Sequence, residues 1–300
     1  MKVKNITNPI FRELKNHKLI NIKNLVEFND KTRDKKIKSY KDTKTGVIFL
    51  KDYKRGLKYY TSKKTNRTFK KNSSHSNFTI NKKILKTSNL NDDLRRYNQF
   101  KTIIKNKIVL DYGCGKGNFL KYSKNSVKKI YGVEVNKKLL INLSKKFNVQ
   151  ESLDKFNNLS FDVITCFHVL EHLPNQVFLL KMLLKKLKKK GTLIIEVPSA
   201  HDKLLTVSNL KEFRDFTMWS EHLILHTSQS LKKFIKLAGG KKINIKFYQR
   251  YNLANHFGWL IDRLPGGHDF NYIPNNLNRL YQNYLSKIKK TDTLIAIIKK

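Results

Sequence analysis

Val109-Leu110-Asp111-Tyr112-Gly113-Cys114-Gly115-Lys116-Gly117-Asn118-Phe119-Leu120 decides the fold. A short apolar run from Lys107 ends in Asp111, three glycines follow at alternate positions, and a helical segment from Asn118 to Lys124 starts at once. This reads as strand, tight loop, helix. Glycines there let the backbone turn sharply and let a ligand approach it closely. The next apolar run, Ile130-Tyr131-Gly132-Val133, ends in Glu134. A carboxylate at that strand end can accept both hydrogen bonds of a ribose diol. The spacing is not the dinucleotide fingerprint G-x-G-x-x-G, and no Lys-Ser/Thr pair follows to make a P-loop.

Working outward, the same alternation continues. Helices are expected over Asp92–Ile104, Asn136–Phe147, Pro174–Lys189 with Pro174 at its first turn and Gly191 as its stop, and Ser228–Ala238. Strands are expected at Val149, Phe161–Phe167, Leu193–Val197, Ile243–Tyr251 and Thr293–Ile298. Strands alternating with helices at this pitch predict an α/β fold, a mostly parallel sheet with helices on both faces. Residues 252–291 are an insertion before the last strand, with helices over Leu253–Leu264 and Pro274–Lys287. Its Asn, His and aromatic residues, from His256 and Trp259 to His268, suit stacking over an acceptor, and a lid or dimer contact suits them equally.

Residues 1–90 read as an irregular, basic N-terminal region, with one strand at Val47-Ile48-Phe49-Leu50. The domain proper is expected at 91–300. The 300 residues carry 63 Lys+Arg against 22 Asp+Glu, a formal charge of +41. That invites a nucleic-acid reading. Only 10 of the cations are Arg, however, and 31 residues are Asn, the composition that AT-rich codons produce. Arg is the residue that reads phosphates and bases bidentately. A Lys excess is therefore weak grounds for nucleic acid. Two cysteines, Cys114 and Cys166, exclude a disulfide framework or a cysteine-rich zinc site. No run approaches the length of a membrane span, and Met1–Ile20 has no apolar signal core, so a cytoplasmic protein is expected.

The Asp111–Gly117 loop resembles motif I of class I S-adenosylmethionine (SAM)-dependent methyltransferases, and Val133-Glu134 resembles motif II. Phe161-Asp162-Val163-Ile164 with Phe167-His168-Val169-Leu170-Glu171-His172 resembles motif IV and the loop after it. Gly191–Pro198 resembles the fifth strand. The resemblance covers about Asp92 to Lys300. It implies a Rossmann-like, doubly wound sheet of seven strands in the order 3-2-1-4-5-7-6, the last antiparallel. It implies SAM as co-substrate, with Asp111, Gly113, Cys114, Gly115 and Gly117 around the methionine part, Glu134 on the ribose and Ser152-Leu153 beside the adenine. Phe167 and His168 would line the same pocket.

Trp219-Ser220-Glu221-His222-Leu223 resembles the Glu-His signature of methyltransferases acting on nucleotide-linked sugars, and a related element occurs in quinone-type O-methyltransferases. His222 and Glu221 are the catalytic candidates, because an imidazole titrates near neutrality and suits a general base. The acceptor implied is a small molecule, a nucleotide-sugar or surface-polysaccharide precursor that can bear phosphate. A quinone or phenol O-methyltransferase, an RNA methyltransferase and a SAM-binding protein without turnover are the alternatives. Gly46–Leu50 and Tyr59-Tyr60 faintly resemble the end of a small zinc module of sugar C-methyltransferases, without its cysteines. Arg95 and Arg96 are placed either on a salt-bridged helix face or on an anionic ligand. His168-Val169-Leu170-Glu171-His172 spells H-x-x-E-H, but the element follows a strand and meets Pro174, so no zinc-protease helix forms and no metal is expected.

Overall fold

The computed structural model describes residues 5–53, 91–207, 209–265 and 273–300 with their side chains, and 78–80 and 83–85 as backbone. A short helix, α1 (Pro9–Asn16), opens the chain, followed by strands β1 (Leu25–Asn29), β2 (Ser39–Asp42) and β3 (Ile48–Leu50). Backbone strands β4 (Phe78–Ile80) and β5 (Lys83–Leu85) pair antiparallel. The alternating part runs α2 (Asp92–Ile104), β6 (Ile108–Tyr112), α3 (Asn118–Ser123), β7 (Lys129–Val133), α4 (Lys137–Ser144), β8 (Asn148–Gln150), β9 (Phe161–Phe167), α5 (Gln176–Lys186) and β10 (Leu187–Pro198). Then come α6 (Lys211–Thr217), β11 (Ile224–Leu225), α7 (Ser228–Leu237), β12 (Lys242–Tyr248), α8 (Leu253–Asp262), α9 (Asn275–Lys287) and β13 (Thr293–Lys299).

The main sheet has the order β12-β13-β10-β9-β6-β7-β8. Counted from β6 as the first strand, this is the expected 3-2-1-4-5-7-6. β13 pairs antiparallel with both β10 and β12, while the β6, β7, β8, β9 and β10 pairings are parallel. The order reverses at β6, between β7 and β9, and ligands of open α/β sheets bind in the crevice at that point. Buried Leu110, Ile164, Leu193, Ile195 and Leu294 form one face of the sheet's core, and Val109, Val163, Ile194 and Ile295 the other. That is the two-sided burial a parallel sheet requires.

Two sequence expectations need correction. The helix after Pro174 begins at Gln176 and ends at Lys186. Pro174 holds Leu173 extended, Asn175 turns left-handed at φ 55°, and the Glu13 carboxylate accepts from the free N–H groups of Gln176 and Val177 at 3.1 and 2.9 Å. Beyond Lys186 the chain is already strand. Leu187 is buried opposite Phe161, and Lys188 pairs with Asp162 at 3.0 Å. Gly191 therefore sits in an irregularity of β10, where a Cβ would lie 3.0 Å from the Lys188 carbonyl, and does not stop a helix.

The second correction concerns the N-terminal region, which is not irregular over residues 5–53. β1, β2, β3 and β11 make an antiparallel sheet, with Phe49 opposite Ile224. Asn8 Nδ2 donates to the carbonyls of Leu50 and Leu223 at 2.8 and 2.9 Å. Ile10, Leu14, Tyr40 and Phe49 belong to the same apolar cluster as the main sheet. Polar composition hid this because each strand is short and few apolar side chains suffice to bury it. Tyr59 and Tyr60 lie outside the described residues. In the insertion, both helices form, but Trp259 is core, packed on Phe213 and Phe216 at 5.1 and 5.0 Å. His256 is buried too, 3.2 Å from Gln249 and 2.8 Å from Tyr281. These two residues do not present themselves to an acceptor. His268 lies outside the described residues.

Candidate active site

At the reversal point, Asp111, the penultimate residue of β6, accepts from the Thr165 hydroxyl of β9 at 2.7 Å. Burial raises its carboxyl to about 7, against the lowering effect of that hydrogen bond. The loop then takes left-handed turns at Gly113 (φ 77°), Gly115 (φ 55°) and Gly117 (φ 73°). A Cβ on Gly113 would meet Val169 at 2.4 Å, and one on Gly117 would meet Leu143 at 2.4 Å. A Cβ on Gly115 would meet nothing within 4 Å, so that side of the turn faces open space.

Glu134 follows β7 and closes on the loop. Its Oε2 accepts from Gly115 N at 2.9 Å and its Oε1 from Asn136 N at 2.7 Å. Each carboxylate oxygen retains a further lone pair for a diol. Burial raises its pKa, while the backbone N–H groups of Asn136, Gly115 and Val135 oppose the rise. Cys114 turns its thiol inward among Leu120, Leu143 and Val149, and burial pushes that thiol up. It has only backbone to offer a ligand. Ser152 caps a short turn at the end of β8, and Leu153 is core. Phe167 is stacked on Phe100 at 5.8 Å and edge-on to Phe119 at 5.2 Å, within the apolar cluster on one face of the sheet.

His168 begins the neighbouring cluster. It is left-handed at φ 52°. Its Nδ1 donates to Glu171 Oε1 at 2.9 Å, and its Nε2 lies 3.3 Å from Glu196 Oε1. Glu196 is a carboxylate inside the apolar strand β10, wholly buried. Arg95 and Arg96 both donate to its Oε1, at 2.7 and 2.8 Å. This settles the two arginines as partners of Glu196 on a buried ion-paired face. Burial would raise Glu196, but Arg96, His168 and Arg95 hold it well below the usual carboxylate range. Burial would lower His168, but the two carboxylates raise it. Burial would raise Glu171, but the His168 hydrogen bond and the neighbouring imidazoles of His168, His172 and His222 together bring it down to about 2. The sequence signal for this network was Glu196 itself, a charge in a strand too apolar to leave it unpaired.

Two distant segments meet beside it. Leu223 N donates to the Glu171 carbonyl at 2.8 Å. This sets the His222 ring 4.6 Å from that of His172, with the Trp219 ring 5.5 Å from His222 and 6.3 Å from His172. Burial, then the nearby His172, lowers His222 well below its ordinary value. It is neutral at pH 7, with its lone pair available. Ligand-type atoms of Glu171, His172 and His222 lie within 4.8 Å of one another; Glu221, the other catalytic candidate, is buried but is not of this group. The loop carrying His222 is held from the N-terminal region. Arg33 donates to the Phe216 carbonyl at 2.6 Å, and Asp34 accepts from the Ser220 N–H and hydroxyl at 3.1 and 2.6 Å. Sequence reading missed this clamp, and no local pattern announces it.

A family model for a methyltransferase domain matches residues 53–243. No curated protein matches the chain. Among solved structures, a SAM-dependent methyltransferase from Archaeoglobus fulgidus is 23% identical, with 70% of this chain and 92% of that one covered and a TM-score of 0.48. One from Thermotoga maritima is 14% identical over 69% and 89%, TM-score 0.48. Phosphoethanolamine N-methyltransferase 2 of Haemonchus contortus, in complex with SAM, is 16% identical over 71% and 53%, TM-score 0.45. The family match over most of the chain, the strand order and the glycine loop with its two carboxylates agree: the chain belongs to the methyltransferase domain family and is a class I SAM-dependent methyltransferase.

Proposed function

We propose that the protein methylates a small, phosphate-bearing acceptor in the cytoplasm, a nucleotide-sugar or surface-polysaccharide precursor. The observation that carries this is the meeting of His222 with Glu171 and His172 beside the strand end that also forms the SAM crevice. The Asp111–Gly117 loop and Glu134 hold the co-substrate. An acceptor oxygen or carbon attacks the methyl carbon in line, and the C–S bond breaks with its electron pair left on sulfur. Most of the rate comes from positioning the two reactants. His222 is the catalytic group, a neutral ring whose lone pair answers the acceptor's proton, with Glu221 next to it in the chain. The Lys-rich surface draws an anionic acceptor toward the crevice. No helix among the described residues is long and apolar enough to cross a membrane.

Purified protein given labelled SAM with nucleotide-sugars, catechols and quinols, or bulk tRNA tests the substrate class. Transfer to a nucleotide-sugar is expected. Transfer to tRNA that survives high salt would overturn the reading, because non-specific phosphate contacts are screened there. His222→Ala should lower turnover by about 100-fold or more with SAM affinity unchanged.

A further inference from the structure

Glu171 and His222 each bury a polar atom that has no hydrogen-bond partner, Glu171 Oε2 and His222 Nδ1. Leaving such atoms unmet costs about 1–3 kcal/mol each. The Glu171 side chain is wholly buried, and its other oxygen is committed to His168. With His172 these residues offer one carboxylate oxygen and two imidazole nitrogens within 4.8 Å of one another. Donors around a cation at ~2.1 Å stand roughly 3–4 Å apart, so only a small inward movement separates this group from a coordination shell.

We propose that Glu171, His172 and His222 bind a divalent first-row transition cation beside the SAM crevice. The site is built on fixed backbone. The Leu223–Glu171 bond ties the two segments together, His172 N donates to Val169 O, and His222 N donates to Trp219 O. Its outer partners are of the kind metal sites use: His168 orients the Glu171 carboxylate, and Trp219 walls the two imidazoles. Two imidazoles and one carboxylate favour zinc, iron or nickel over magnesium or calcium. Three protein ligands leave positions for water or an acceptor oxygen, and His172 and His222 are partly exposed, which gives access from their side. The absence of metal expected from H-x-x-E-H concerned His168 and His172 on one helix face. The present set replaces His168 with a histidine 50 residues downstream of His172.

The use of the cation rests on the acceptor reading above, whereas its binding does not. With His222 as ligand, its lone pair serves the cation instead of the acceptor's proton, and the cation takes over that part by lowering the pKa of an acceptor hydroxyl. The proton passes to solvent, the oxygen forms its bond to the methyl carbon, and the C–S bond breaks to leave S-adenosylhomocysteine. No redox change is involved.

The test uses the full chain stripped with chelator and titrated by calorimetry with Zn²⁺, Co²⁺ and Mg²⁺, with visible absorption for Co²⁺. One equivalent of Zn²⁺ or Co²⁺ is expected, with Mg²⁺ far weaker and affinity reduced about 100-fold or more in His222→Ala and in Glu171→Gln. SAM affinity, measured on the same samples, reports folding, and His172→Ala supplies a third variant should Glu171→Gln fail to fold. No saturable uptake by the wild type, or uptake unchanged in His222→Ala and His172→Ala, would overturn the site. Full methyl transfer by stripped wild type would overturn its use in the reaction. Cation uptake by a chain that transfers no methyl would leave the site in place and remove the acceptor reading instead.

Discussion

Replacing Glu196 by Gln removes one negative charge from near the C-terminal end of β10 and leaves the shape nearly unchanged. Its Oε1 receives Arg95 at 2.7 Å, Arg96 through Nε and Nη at 3.0 and 2.8 Å, and faces His168 Nε2 at 3.3 Å. Glu196 is fully buried, and Arg96 is 8% exposed. The amide would leave Arg96, Arg95 and His168 with less compensating charge where water cannot replace it. Removing one partner of a buried ion pair costs about 3–5 kcal/mol. At about 2–4 °C per kcal/mol for a chain of this order, Tm should fall by roughly 6–20 °C. Urea unfolding followed by circular dichroism, with a thermal melt in parallel, measures both. A change within about 0.5 kcal/mol, the range of ordinary surface substitutions, would refute the claim that this carboxylate holds the arginines and His168 together.

Three further outcomes follow from the geometry. Gly113→Ala should weaken SAM binding about 10-fold or more, since its Cβ would overlap Val169 and its φ is +77°; calorimetry reads it. Burial holds His226 at about 4, with Nε2 donating to Gln176 Oε1 at 2.8 Å. The unfolded chain therefore binds more protons below pH 6.5, and stability should fall by about 3 kcal/mol as pH drops from 6.5 to 4. Urea midpoints across that window, compared with His226→Gln, isolate this contribution from the opposite one of His168, whose pKa is raised. Asp34→Ala frees the Ser220 contacts and should lower methyl transfer several-fold with SAM affinity unchanged. Equal loss of both would place the clamp's effect on the whole fold.

The co-substrate half of the molecule was legible in sequence because its signal is local. Three glycines, an acid at each of two strand ends and regular strand-helix alternation lie within one stretch. β10 and α5 were misplaced at their junction because Lys188-Lys189-Lys190 looks helical, while Leu187 and the Lys188–Asp162 pair commit it to the sheet. The meeting of His222 with Glu171 and His172 joins segments 50 residues apart, and the pairing of β3 with β11 joins segments about 175 residues apart. Neither leaves a local pattern; His168, expected to line the SAM pocket, hydrogen-bonds to Glu171 and lies 3.3 Å from Glu196. Little of the charge of +41 enters the buried network, which is built from Arg95, Arg96 and His168 with their acids.

The most direct test of the account is SAM binding to the purified chain by calorimetry, wild type against Glu134→Ala. One SAM per chain is expected for the wild type, and an affinity about 100-fold lower in the variant, which loses the acceptor for Gly115 N and for a ribose diol together. No SAM binding by the wild type, or equal binding by the two, would contradict it.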